Sequence, residues 1–285
     1  MNLLKNCEVQ KMSIRNNKTD RITEAFEKRK KKYQKALITF VTAGDPDIMT
    51  TERLIYAMIE EGADLVELGI PYSDPIAEGP VIQAANERAL IHGIRMTHVF
   101  SLVKRIRKRT EVPIVLLLYV NVILQYGPDT FFSACRESGI DGVIVPDLPY
   151  EEREEIEPYA IEHGVSFIRM VSPVSEHRIR QITEGSTGFL YCVSSLGVTG
   201  TRSAFQTDFE KFFETINASC KIPTALGFGI SNSQQVKEIK KYSDGVIVGS
   251  AMVKTISEAI DNDDAVMRAS LFTRELRMAL DCSNE

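Results

Sequence analysis

DLVELGIPYSDPIAEGP, residues 64–80, is an apolar run that stops in a loop rich in Pro, Gly, Ser and Asp. Its first half, DLVELGI (64–70), is short and continuously apolar rather than alternating. Strands covered on both faces look like this, and parallel sheets are covered on both faces. The same pattern recurs along the chain. ALITFVT (36–42), PIVLLLYV (113–120), GVIVPDL (142–148), SFIRMVS (166–172), GFLYCVS (188–194), PTALGFG (223–229) and GVIVGSA (245–251) read as further strands. Amphipathic segments lie between them. TTERLIYAMIEEGA carries Leu54, Ile55, Met58 and Ile59 three and four apart, and THVFSLVKRIRKRT carries Val99, Leu102, Val103 and Ile106. VKEIKKYS and DFEKFFETI repeat the pattern. Strand and helix alternating in this way predict parallel βαβ units. Eight units in roughly 250 residues fit an α/β chain closed as a (β/α)8 barrel. An open doubly wound sheet is the alternative, but a GxGxxG turn usually follows its first strand, and VTAGDP is not one.

The 285 residues suit one large domain. We expect a flexible tail over residues 1–20 and a single barrel over 21–285, entered through an extra N-terminal helix, RITEAFEKRKKK. The basic run Lys28 to Lys32 closes that helix, where cations are favoured. Hydrophobic residues make up 44% of the chain, enough for a sizeable core. The net charge of −5 offers no general attraction for nucleic acid or an anionic membrane. Five cysteines, an odd number without CxxC spacing, read as reduced intracellular thiols. No apolar run reaches the roughly 18 residues that span a bilayer.

A barrel keeps its active site at the C-terminal ends of the strands, and its phosphate site after strands seven and eight. Strand seven ends in Gly227-Phe228-Gly229-Ile230-Ser231, and strand eight in Gly249-Ser250. A third glycine loop, Gly197-Val198-Thr199-Gly200, follows strand six. Glycine lets a phosphate oxygen approach backbone N–H groups, and a helix N-terminus adds donors. No Lys or Arg lies inside these motifs, and Arg202 follows just after the third.

Two carboxylates stand out. Glu67 lies near the end of strand two, on the face opposite Val66 and Leu68. If those two face the helices, Glu67 points into the barrel, where burial raises a carboxyl pKa toward the range of a general acid or base. A structural glutamate bonded to a neighbouring strand is the other reading. Glu78 sits in the loop SDPIAEGP and reads from pattern alone either as a solvated charge or as a partner to Glu67. Asp74 and Asp147 also end strand-like segments, as ligands or caps. The four histidines fall away from the strand tips, and no metal-ligand spacing emerges.

FVTAGDP (40–46), ELGIPYSDPIAEGP (67–80), IQAAN (82–86), VPDLP (145–149), GVTGTRS (197–203) and GFGIS (227–231), in this order, resemble the tryptophan synthase alpha family. The match runs from about residue 21 to about 258. The resemblance implies a TIM barrel with a C-terminal helical segment. It also implies cleavage of indole-3-glycerol phosphate to indole and glyceraldehyde 3-phosphate, without a cofactor in this chain. A cytoplasmic alpha2-beta2 complex is implied too, in which a beta subunit carrying pyridoxal phosphate receives the indole. The resemblance gives Gly200, Gly229, Gly249 and Ser250 the substrate phosphate. It places Phe40, Tyr119, Tyr191 and Phe228 around the indole and glycerol, and makes Thr199 a residue of a closing loop. Indole leaves only once its C3 carbon is protonated, and a base must take the glycerol hydroxyl proton. Glu67 matches the glutamate assigned to this proton traffic. Glu78 matches the carboxylate that accepts the indole N–H, but the family pattern there is aspartate, DPLADGP. Charge is kept, while reach grows by one methylene, and a misplacement of about 1 Å can cost on the order of 10²-fold. This departure implies either a shifted loop or a weak lyase, and it leaves open a chain that acts mainly by activating its beta partner. A stand-alone lyase that releases free indole is a further alternative. The partner surface implied is the loop after strand two, with Pro71 and Asp74, and the loops after strands three and four.

Overall fold

The computed structural model describes residues 20–193, 209–227 and 229–282. The strands are β1 (Ala36–Thr42), β2 (Leu65–Gly69), β3 (Ile114–Leu117), β4 (Gly142–Ile144), β5 (Ser166–Phe167), β6 (Met170–Val171), β7 (Leu190–Val193), β8 (Thr224–Gly227) and β9 (Gly245–Val248). They pair in parallel in the order β5-β4-β3-β2-β1-β9-β8-β7-β6. The helices are α1 (Arg21–Lys30), α2 (Ile48–Glu60), α3 (Pro80–Ile91), α4 (Met96–Ile106), α5 (Val120–Tyr126), α6 (Pro128–Ser138), α7 (Glu157–Glu162), α8 (Ile179–Thr183), α9 (Phe209–Asn217), α10 (Ser233–Ile239), α11 (Ser250–Ser257) and α12 (Asn262–Asp281).

The apolar run 166–172 makes two strands rather than one. Its first half bonds β4 and its second half bonds β7. The handover falls between Ile168, whose N–H donates to Val143 O at 2.9 Å, and Arg169, whose carbonyl accepts from Tyr191 N at 3.0 Å. This junction closes the barrel. Two other runs end earlier than expected. β3 stops at Leu117 and Val120 already begins α5, because the Asp147 carboxylate accepts the Val120 N–H at 3.0 Å as a cap. Pro146, which has no N–H to give a ladder, follows the end of β4.

Ile38, Leu65, Val115, Ile144, Ile168, Phe189, Ala225 and Ile247 fill the barrel interior. Val66 and Leu68 point the other way and pack with Leu54, Ile55 and Met58 of α2. The N-terminal mouth is closed by α1, which contributes Ile22 and Phe26 to the interior cluster. Each such buried side chain stabilises by roughly 1.5–3 kcal/mol. The helix is well specified: Asp20 caps it by accepting the Thr23 N–H at 2.8 Å, Glu24 sits in its first turn, and Lys28, Arg29 and Lys30 in its last.

Charged clasps lock the same end. Asp64 accepts from Arg29 Nε at 2.6 Å, Leu37 N at 2.9 Å and Arg277 Nη1 at 3.1 Å, tying α1, β1 and α12 together. Asp141 accepts from Arg107 at 2.5 Å, Arg21 at 2.9 Å and Ile114 N at 2.7 Å. Cys135, Cys192, Cys220 and Cys282 are free thiols, the first two buried. Among the described residues no helix is long and apolar enough to cross a membrane.

Candidate active site

At the opposite mouth the strand ends enclose a cavity of about 360 Å³. Phe40 of β1, Glu67 of β2, Leu117 of β3, Pro146 after β4, Met170 of β6, Tyr191 of β7 and Ile247 of β9 line it. Ile76, Ala77 and Glu78 come from the loop after β2, and Gly229, Ile230, Gly249 and Ser250 from the loops after β8 and β9. Most of its wall is apolar, with two carboxylates converging on it, the usual composition of a small-molecule site.

Glu67 lies opposite Phe40 on one side and Val115 on the other. Its parity carries it inward, and it is 2% exposed. Among the described residues its Oε2 has no hydrogen-bond partner. The structural reading of a glutamate satisfied by a neighbouring strand therefore fails for this oxygen. Burial first, and the nearby charge of Glu78 second, push its pKa up to about 8. Near neutral pH it is mostly a carboxylic acid, able to donate a proton and then act as its conjugate base.

Glu78 is buried as well, although it rides a loop. The Tyr119 hydroxyl donates to its Oε2 at 2.5 Å and accepts the Ala77 N–H at 2.9 Å. Tyr119 thus pins both the carboxylate and the backbone beside it. Burial raises the Glu78 pKa, the Tyr119 hydrogen bond lowers it, and the charge of Asp147 raises it. Burial and the charge of Glu67 push the Tyr191 phenol well above its ordinary value, so it is a neutral hydroxyl. Glycines let the rings lie this close to the strands. A Cβ at Gly69 would meet Phe40 Cζ at 2.4 Å, and one at Gly227 would meet the Tyr191 hydroxyl at 2.7 Å.

The third side can offer backbone donors to an anion. Gly249 caps α11 without any side-chain acceptor, so the first-turn N–H groups stay available, with the Ser250 hydroxyl beside them. Gly229 faces the same space with φ +78, a conformation that favours glycine. Among the described residues no Lys or Arg lines the cavity.

Of the residues singled out in the sequence, Phe40, Glu67, Glu78, Tyr191, Gly229, Gly249 and Ser250 meet at this cavity. Tyr119 stands behind Glu78 and acts on it by a hydrogen bond. Thr199, Gly200 and Phe228, together with Gly197, Val198 and Arg202, lie outside the described residues. Asp147 caps α5, and Asp74 accepts from the Ser73 hydroxyl at 2.5 Å. Ile230 enters the cavity as part of the loop already singled out, while sequence reasoning missed Ile76, Ile82, Leu117, Met170 and Ile247. Leu117, Met170 and Ile247 look like core residues in the sequence; only their place at the last inward position of a strand could have marked them.

The profile described as tryptophan synthase alpha chain matches residues 26–281. The tryptophan synthase alpha chain of Alkaliphilus metalliredigens is 46% identical over 256 residues, 90% of this chain and 96% of that one. That of Thermoanaerobacter sp. is 44% identical over 261 residues, 92% of this chain and 100% of the relative. Among solved structures, tryptophan synthase subunit alpha from Legionella pneumophila superposes with a TM-score of 0.83 at 35% identity, covering 93% of this chain and 99% of that chain. A chain of Mycobacterium tuberculosis tryptophan synthase superposes with a TM-score of 0.84 at 32% identity, covering 93% and 100%.

Proposed function

The chain belongs to the tryptophan synthase alpha chain family, the carbon–carbon lyases that cleave indole-3-glycerol phosphate, and we propose that Glu67 and Glu78 carry this cleavage. The observation that supports it is the convergence of both buried carboxylates on one cavity that a helix N-terminus also lines.

In this reading the substrate phosphate lies against Gly229, Gly249 and Ser250, held by backbone donors. The indole fills the apolar part, against Phe40 and beside Leu117, Met170 and Ile247. Neutral Glu67 delivers a proton to C3 of the indole. The carboxylate left behind takes the proton of the glycerol hydroxyl as the C–C bond breaks and the aldehyde forms. Glu78 accepts the indole N–H and stabilises the positive charge that develops on the ring. A fixed anion facing developing charge is often a large part of catalysis. The bond between Tyr119 and Glu78 supports a working lyase over a chain that only activates a partner, because it holds the longer side chain within the cavity.

The loop after β2, with Pro71 and Asp74, and the loops after β3 and β4 form the face for a beta subunit in an alpha2-beta2 complex. That subunit would supply pyridoxal phosphate for the next step. The free thiols support a cytoplasmic setting.

Steady-state cleavage of indole-3-glycerol phosphate by wild type, Glu67→Gln, Glu78→Gln and Glu78→Asp tests the assignment. Glu67→Gln should lose about 10²–10⁴-fold in kcat with the fold intact. Turnover by Glu78→Gln equal to wild type would remove Glu78 from the reaction. Adding a beta subunit to the same assay shows whether the rate depends on a partner.

A further inference from the structure

Two residues outside the cavity support Glu78, Gln83 directly and Tyr72 through Tyr119. On the outer side of the loop after β2, Tyr72, Asp74, Gln83, Leu90 and Ile91 help to line an open groove of about 750 Å³. Two of its residues, Tyr72 and Gln83, connect to Glu78, one through Tyr119 and one at the backbone. The Tyr72 ring stacks on Tyr119 with centroids 4.8 Å apart and planes at 21°. The Tyr72 hydroxyl is itself held by Asn121 Nδ2 at 3.2 Å. Tyr119 in turn donates to the Glu78 carboxylate. Gln83, in the first turn of α3, donates from Nε2 to the Glu78 carbonyl at 2.8 Å. The head of Glu78, through Tyr119 and then Tyr72, and its backbone, through Gln83, thus have separate supports, and Tyr72 and Gln83 line the outer groove.

We propose that Tyr72 and Gln83 are positioning residues for Glu78: Tyr72 fixes the angle at which Tyr119 holds the carboxylate, and Gln83 fixes the backbone that carries it. The proposal rests on the reading of Glu78 given above. A glutamate needs such support more than an aspartate does, since it has one more rotatable bond to hold still. The cavity side of Glu78 must stay open for substrate, so the restraint has to come from behind.

The test measures kcat, KM and the pH profile of kcat for Tyr72→Ala, Tyr72→Leu, Tyr72→Phe and Gln83→Ala. Glu78→Gln is run beside them, and Ile91→Ser serves as a groove control, since Ile91 is 82% exposed. Far-UV circular dichroism checks that each variant is folded. Tyr72→Ala, Tyr72→Leu and Gln83→Ala should each lower kcat about 10-fold with KM within about twofold, because a misplaced group costs rate rather than affinity. Tyr72→Phe keeps the stack and should stay within about threefold of wild type. Loosening Tyr119 weakens the hydrogen bond that lowers the Glu78 pKa, so the acid limb of the kcat profile moves to higher pH in Tyr72→Ala. In a Tyr119→Phe background Tyr72→Ala should cost little more, since both act on one link. The proposal is overturned if Glu78→Gln is slow while the Tyr72 and Gln83 variants match wild type, or if Ile91→Ser loses as much as they do. If instead Glu78→Gln itself cleaves at the wild-type rate, the reading of Glu78 has failed, and the proposal with it.

Discussion

Asp64 and Glu67 stand three residues apart, one just before β2 and one in its middle, 9% and 2% exposed. Asp64 is fully answered, by two guanidinium groups and a backbone N–H. Glu67 leaves an oxygen with no partner among the described residues, and its proton is held up to about pH 8. The N-terminal end of the barrel spends its charges on holding α1, β1 and α12 together. The C-terminal end keeps a carboxyl group whose charged form the protein does not solvate, which leaves it free to exchange a proton with something that enters. An unpaired buried charge is costly, and the contrast supports the proposal that chemistry sits at the C-terminal end.

The largest expected effect follows from removing each carboxylate. Glu67→Gln should abolish nearly all cleavage, a loss of about 10²–10⁴-fold, while leaving the circular dichroism unchanged. Asp64→Ala should do the reverse. It strips the carboxylate from Arg29 and one of two carboxylates from Arg277, which keeps Asp281, and should lower stability by about 3 kcal/mol, read by urea unfolding, with kcat of the folded enzyme close to wild type. If Asp64→Ala proved stable but inactive, the division between the two ends would be wrong.

A pH series sharpens the same contrast. Glu67 titrates near its ordinary value of 4.5 when unfolded and near 8 when folded. Between these values the native state holds one more proton than the unfolded state. Stability is then full below about pH 4.5 and falls as pH rises toward about 8, with no further loss above that. The total is a few kcal/mol, at about 1.4 kcal/mol per unit. Glu67→Gln lacks this slope, so the gap between wild type and Glu67→Gln measured by urea unfolding at pH 5 and pH 9 should widen in favour of the variant. A gap that does not change with pH would show that Glu67 is solvated in the native state. The smallest effect concerns Gly69, at the upper end of the same strand. Gly69→Ala drives a methyl group into the Phe40 ring, and we expect about a 10-fold loss in kcat/KM with a stability cost of about 1–3 kcal/mol.

Much of this was legible in the chain. The eight apolar runs and the amphipathic segments between them specify parallel βαβ units, because burial on both faces leaves a continuous apolar pattern. Glu67 could be set opposite Val66 and Leu68 from the alternation of side chains in ELG, and Gly229, Gly249 and Ser250 could be placed by the end of their strands. What escaped was the division of 166–172 into two strands, which depends on which neighbour each half meets. The apolar lining escaped too, since Leu117, Met170 and Ile247 carry no signal that separates cavity wall from core.

By itself, then, the sequence indicated the barrel and the mouth at which to look for chemistry, and set Glu67 on the face opposite Val66 and Leu68, since these follow from local periodicity; that this face is the inner one came from the fold. Glu78 was ambiguous in the chain, a loop residue that by pattern alone reads first as a solvated charge. Only the tertiary structure decided it, by bringing Tyr119 from forty-one positions away onto its carboxylate. The clasp on Asp64 by Arg277, 213 positions distant, was equally hidden. Burial and pairing of charge are properties of contacts between remote segments, and no local pattern in the chain encodes them.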